Sequence, residues 1–190
     1  CKGQYIEIER TDGFNDVGGM IGYGDGVKAA DCNAENISIA GASNSGGFIG
    51  NSSDSVFANC EASGTVSGTW ALGGFVGYTT AADYSEATQS VYKHCAADVD
   101  IAGSDWNLGG FAGYAEFGEF DNCVAFGDII STVDGWEPNI GGFIGKSDNA
   151  GVDSSHAAGT VTSASPNDKA GGFGGNYVDR TFAHCRLARD

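Results

Sequence analysis

Cations are scarce in this chain: nine Lys and Arg stand against 25 Asp and Glu, a formal net charge of −16 over 190 residues. Nine scattered cations cannot form the basic patch that nucleic acid or an anionic membrane surface demands, which argues against both as partners. No apolar run approaches the ~18 residues of a membrane helix, which argues against membrane insertion. Proline occurs only twice. Glycine is abundant at 32 residues but keeps no every-third-residue register, so collagen is excluded. Helical periodicity is absent, apart from a short turn signal near Ala81 to Gln89. Gly-x-Ser-x-Gly, a phosphate loop and His-Glu-x-x-His are all missing, and with them the usual announcements of enzymatic chemistry.

What the chain does have is repetition. A Gly-Gly-apolar unit recurs at Gly18-Gly19-Met20, Gly46-Gly47-Phe48, Gly73-Gly74-Phe75, Gly109-Gly110-Phe111, Gly141-Gly142-Phe143 and Gly171-Gly172-Phe173. Successive units are 28, 27, 36, 32 and 30 residues apart. Counted from the first glycine, Cys32, Cys60, Cys123 and Cys185 all fall 14 residues on, and Ser155 takes that place in the fifth repeat. Cys95 falls 22 residues on, which implies an insertion over about residues 79–90. Ala34, Ala62, Ala97, Ala125 and Ala157 follow two residues after the cysteine position. Cys60, Ala62, Gly64 and Val66 alternate with the period of two that a half-buried strand requires. Cys1 fits the same frame, so residues 1–17 read as a partial repeat and residues 1–190 as one repeat domain.

Each repeat offers two short strand signals joined by turns rich in Gly, Asn, Asp and Ser. This pattern predicts an all-β fold: a right-handed parallel β-solenoid of about six coils, with strands stacked ~4.8 Å apart. Its core is expected to be thin and built from ladders of Ala, Cys, Val and Phe. Phe48, Phe75, Phe111, Phe143 and Phe173 form one expected ladder, and Cys1, Cys32, Cys60, Cys95, Cys123 and Cys185 another. Phe75 and Val76 are neighbours and should face opposite sides of a strand. Both positions are apolar in nearly every repeat, so the second ladder must be buried beneath turns or another layer, or else form a docking face. The residue before each cysteine position is polar (Asp31, Asn59, His94, Asn122, Ser154, His184), and the apolar residue three before it is out of phase, which places a bend between them.

The pattern Gly73-Gly74-Phe75-Val76-Gly77, followed by Cys-x-Ala-x-Gly-x-Val, resembles the GLUG-type repeats of bacterial surface proteins. These occur in secreted adhesins and in the ectodomains of immunoglobulin-A-cleaving metalloproteases. The resemblance covers about residues 17–187, departing at Met20, at Ser155 and in the third-repeat insertion. It implies a β-rich module, extracellular or at the cell surface, and carries no catalytic residue onto this chain.

Six cysteines also admit a disulfide or metal reading. The alternation with alanine instead favours buried free thiols, while Cys1, at a chain end, is open to lipidation or an intermolecular disulfide. His94-Cys95 and His184-Cys185 lie three coils apart, too far to share a zinc ion. Asp25, Asp54, Asp83, Glu116, Asp148 and Asp179 recur in the turn after the glycine strand and would line one edge, solvated or relieved of repulsion by calcium. Apart from calcium, no cofactor is expected. Asp98, Asp100 and Asp128, with Glu35 a coil away, are the carboxylates a polysaccharide-active β-helix enzyme would need. The leading expectation is a non-enzymatic structural or adhesive segment of a microbial surface protein, with neighbouring repeats, a glycan or a host surface as partner. The alternative is a filament subunit, because the chain starts and stops at the same phase of the repeat and copies could stack end to end.

Overall fold

The computed structural model describes residues 1–9, 16–104, 106–132, 137–166, 168–178 and 182–187. Two sheets of 14 and 10 strands face each other, and the chain winds between them as a β-solenoid of about six turns. In one middle turn, Ala96–Gly103 and Asn107–Gly109 lie in the larger sheet and Ala112–Asp121 in the smaller. Pairing between strands is parallel throughout the described residues. Ala97 pairs with Ala62 and Ala125, Ile101 with Val66 and Ile129, and Leu108 with Leu72 and Ile140. The repeat frame is therefore the hydrogen-bond register itself. The insertion is a side loop closed by an antiparallel bridge between Ala81 and Gln89, with a short 3-10 turn at Glu86–Thr88.

The bend before each cysteine position is a single left-handed residue. Asp31, Asn59, His94, Asn122, Ser154 and His184 have φ of 51°, 51°, 52°, 51°, 49° and 53°. Asn, Asp and His are among the side chains that tolerate this region best. One left-handed residue breaks the alternation of faces, so Phe120 and Cys123 both point inward.

The bend also explains why the next residue is cysteine. The thiols of Cys32, Cys60, Cys95 and Cys123 donate to the carbonyl two residues earlier, at 3.2, 3.3, 3.4 and 3.5 Å. Two of the sulfurs also face an amide of the turn before: the Cys32 amide meets the sulfur of Cys60, and the Cys60 amide that of Cys95. Ser155 does the same, donating to Asp153 O at 2.9 Å and accepting the Cys123 amide at 3.0 Å. The position needs a small side chain that donates and accepts, which alanine cannot supply. Cys1 keeps the ladder register, since its carbonyl accepts the Asn33 amide at 2.9 Å as that of Cys32 accepts Glu61 at 3.0 Å. Its own side chain is exposed, whereas Cys32, Cys60, Cys95 and Cys123 are buried, and all six thiols are unbridged.

Phe48, Phe75, Phe111, Phe143 and Phe173 stack with centroids 4.8–5.0 Å apart and planes within 3–11°. A second ladder, Phe57, Tyr92 and Phe120, stacks at 5.3 and 4.8 Å. It meets the first edge-on at 5.6–6.0 Å, the favoured aromatic geometry. The core is therefore not thin throughout, a correction to the sequence reading. It is two rings wide here and thin only at the glycines. A Cβ on Gly113 would stand 2.6 Å from the Leu72 amide nitrogen, so at this point the two sheets touch backbone to backbone. A Cβ on Gly110 would stand 2.2 Å from the Gly142 carbonyl oxygen of the next turn. The paired glycines are thus required by close approach between coils.

Phe75 and Val76 are both fully buried. The chain bends at Gly74 and Phe75, between strands Glu61–Gly73 and Val76–Thr80. Phe75 sits at this bend, stacked between Phe48 and Phe111 and edge-on to Phe57 and Tyr92, and the neighbouring Leu72 and Val76 are buried as well.

Candidate functional site

The outward faces of two columns form a groove along the solenoid axis. Trp70, Trp106 and Pro138 each precede a residue of one register column, Ala71, Asn107 and Asn139. Opposite them, Tyr78, Tyr114, Lys146 and Asn176 share a column of the smaller sheet. Between these walls lies a hollow of about 480 Å³, floored by the amides of Asn107 and Asn139. Asn139 Nδ2 donates to Asn107 Oδ1 at 2.8 Å, and both side chains are buried. An adjoining hollow of about 300 Å³ shares Trp70 and Tyr114 and extends the groove to Asn44. The two indoles lie 6.2 Å apart, tilted by 24°, and remain 41% and 49% exposed. That packing is looser than the buried Phe ladder, and it leaves aromatic surface open to the groove. Glu137, Lys146 and Lys169 complete the lining, with Lys146 4.5 Å above the Tyr114 ring.

Sequence reasoning missed this site. The signal was present: tryptophan stands three residues before the Gly-Gly pair in two successive repeats, and tyrosine directly follows Phe-x-Gly in the same two.

The expected acidic edge is interrupted. Asp25, Ser53 and Thr80 share one register column, which continues through Glu116 and Asp148. Asp54 lies one residue beyond it, Asp83 sits in the insertion, and Asp179 lies outside the described residues. Glu116 accepts from the Tyr78 hydroxyl, and from Thr80 Oγ1 at 2.9 Å. Asp148 accepts from Tyr114 Oη at 2.5 Å and from Lys146 Nζ at 3.0 Å. Burial raises both phenols above their ordinary range, and the carboxylates beside them raise them further. Asp83 accepts from Ser85 and Thr88, which hold its carboxyl below the usual range. Among the described residues no three of His, Cys, Asp and Glu come together to hold a metal ion.

Three of the four carboxylates expected to serve an enzyme bond to the scaffold. Asp100 Oδ1 accepts the Asp128 amide at 2.9 Å, and Asp128 Oδ1 accepts the Thr160 amide at 2.7 Å. Asp98 stands in register with Ser63. Glu35 holds Gln4 at 2.7 Å and Lys2 at 3.0 Å, and these hydrogen bonds lower its pKa, that from Gln4 most. The histidines occupy separate corners: His94 Nδ1 lies 2.6 Å from Asn122 Nδ2, and His184 Nδ1 lies 2.9 Å from Asp153 Oδ1.

One full period of the chain runs from Ser104 through Gly109-Gly110-Phe111 and the Cys123–Ala125 strand to Ile130. The GLUG motif matches residues 104–130. No curated protein matches the chain. The matched span closes one solenoid turn, and the other Gly-Gly-apolar units repeat its frame, as a GLUG-type repeat protein should.

The thiol of the turn before the matched span is a structural group. Its hydrogen bond with Cys123, then burial, push the Cys95 thiol up to about 12. Contact with Cys95, then burial, raise Cys60 further, and burial raises Cys185. Such thiols stay protonated at neutral pH and make poor nucleophiles or metal ligands.

Proposed function

We propose that this chain is a non-enzymatic structural and adhesive module, a rigid segment of a microbial surface protein standing outside the cell. The observation that carries the reading is the unbroken register of the Ala, Cys and Phe ladders. A solenoid whose every turn bonds to the next is stiff along its axis, and it presents a long repeating outer face. The GLUG motif fits this reading, and so does the use of Asp100 and Asp128 on backbone amides rather than on a substrate. Excess negative charge keeps such a surface dispersed in water.

The test is protease shaving of intact cells of the encoding organism, followed by mass spectrometry, with adherence of those cells to target surfaces scored in parallel. Release of peptides from this chain by shaving, and loss of adherence when the chain is deleted, are expected. Peptides that appear only after lysis would overturn the surface placement.

A further inference from the structure

We propose that the groove between Trp70–Trp106 and Tyr78–Tyr114 holds an extended polysaccharide strand, running along the solenoid axis with about one sugar ring per turn. The inference rests on the adhesive reading and names its ligand class. Three features of the groove point to a glycan.

The first is amphipathy. A pyranose offers apolar C–H faces and hydroxyl edges. The walls supply exposed indole and phenol surface, and the floor supplies carboxamides. An aromatic ring in such a setting gives a large apolar contact at little entropic cost. The second is length and spacing. The two hollows join through Trp70 and Tyr114 and extend from Asn44 to Asn176, across successive turns. Equivalent backbone positions recur at the strand spacing of ~4.8 Å, and the ring centroids of the two walls stand 6.2 and 5.2 Å apart, the scale of one sugar ring. A ligand that repeats at the same interval meets the same chemistry at each step. The third is charge. In a chain of net charge −16, the groove gathers Lys146 and Lys169 beside Glu137. Lys146 is paired with Asp148 at 3.0 Å, so the lining mixes charges of both signs, and this mixture of donors and acceptors suits hydroxyls.

The register decides where such a strand can lie. Trp70 and Trp106 stand on adjacent turns, whereas Pro138 and Lys146 replace aromatic residues in the next turn. The aromatic subsites are thus two turns deep, and the ligand's continuation meets Asn139, Lys146, Lys169 and Asn176. Ring stacking anchors one part of the strand and hydrogen bonding orients the rest.

The experiment is affinity electrophoresis and calorimetry of the whole chain against soluble β-glucan, xylan, galactomannan, polygalacturonate and hyaluronan, read also by indole fluorescence. Binding to at least one of these is expected. Trp70→Ala and Trp106→Ala should each weaken it about tenfold or more, as hot-spot truncations do. Phe126→Ala removes a ring that is 51% exposed and lines neither hollow, and should leave binding unchanged. Circular dichroism spectra and melts of the tryptophan variants should show a folded solenoid with a cooperative transition, because both indoles lie on the outer face and keep 41% and 49% of their surface exposed. Failure to bind any of the five polysaccharides, or binding indifferent to both tryptophans, overturns the proposal. The two readings fail separately. A chain shaved from the cell surface that binds none of the panel keeps its surface placement and loses the glycan groove. A chain protected inside intact cells that binds through Trp70 and Trp106 does the reverse.

Discussion

Replacing Gly110 by alanine inserts one methyl group where the structure has no room. The new Cβ would stand 2.2 Å from the Gly142 carbonyl oxygen and 3.1 Å from the Ala125 Cβ. Comfortable contact is about 3.5 Å or more, so the next turn must retreat by roughly 1 Å. That retreat strains the bonds joining the two turns at this corner: Gly110 N to Gly141 O at 3.2 Å, Phe111 N to Phe143 O at 2.9 Å and Ala112 N to Phe143 O at 3.0 Å. At about 1 kcal/mol net per bond, the loss is about 3 kcal/mol. Alanine's lower unfolded-state entropy returns up to about 1 kcal/mol. The net cost of about 2–3 kcal/mol corresponds to a fall of roughly 4–12 °C in Tm for a chain of this length. Gly174→Ala is the internal control. Its Cβ would meet only side-chain atoms, Phe182 at 3.2 Å and Tyr177 at 3.7 Å, and Phe182 is 40% exposed and can shift toward solvent. Its melting temperature should stay within about 3 °C of wild type. The assay is a circular dichroism melt, with hydrogen exchange by mass spectrometry to locate the weakened turns around residues 110–145. Equal shifts in the two variants, or a Gly110→Ala melt indistinguishable from wild type, would refute the claim that coil-to-coil approach sets the glycine positions.

Other consequences follow from the thiol ladder. Ser155→Ala strips the buried Cys123 amide of its acceptor and should cost about 1–3 kcal/mol, whereas Ser155→Cys should be near neutral; urea titration of both variants decides. Alkaline pH should destabilise the fold. The ordinary thiol value is 9.0 and the folded Cys95 value about 12, so the folded chain keeps a proton that the unfolded chain releases. This contribution is complete below pH ~9 and falls by about 1.4 kcal/mol per pH unit between ~9 and ~12, and Cys95→Ser should flatten that slope in melts run from pH 8 upward. Disulfide-exchange reagent should find Cys1 fast, Cys32, Cys60, Cys95 and Cys123 slow, and all six thiols after denaturation; a native protein with no slow class would contradict the buried ladder.

The sequence by itself determined the repeat and therefore the register. Stacked parallel turns place equivalent residues side by side, so counting from Gly73 or Gly109 already predicts that Ala62, Ala97 and Ala125 form one column and that the Phe ladder is continuous. The bend before each cysteine was legible too, because Phe120 and Cys123 are out of phase for a straight strand. Spacing could not say how the chain closes on itself in three dimensions. Only the tertiary structure placed a bend at Gly74-Phe75 with Leu72 and Val76 both buried beside it, and set the Phe57, Tyr92 and Phe120 ladder edge-on to the first. It alone gave the thiols their acceptor role, which depends on where a left-handed corner aims the following amide. The groove is likewise a tertiary product. Trp106 and Tyr114 lie on opposite sides of the Gly109-Gly110-Phe111 bend, and only the fold-back at that bend brings an indole and a phenol to face each other across one hollow.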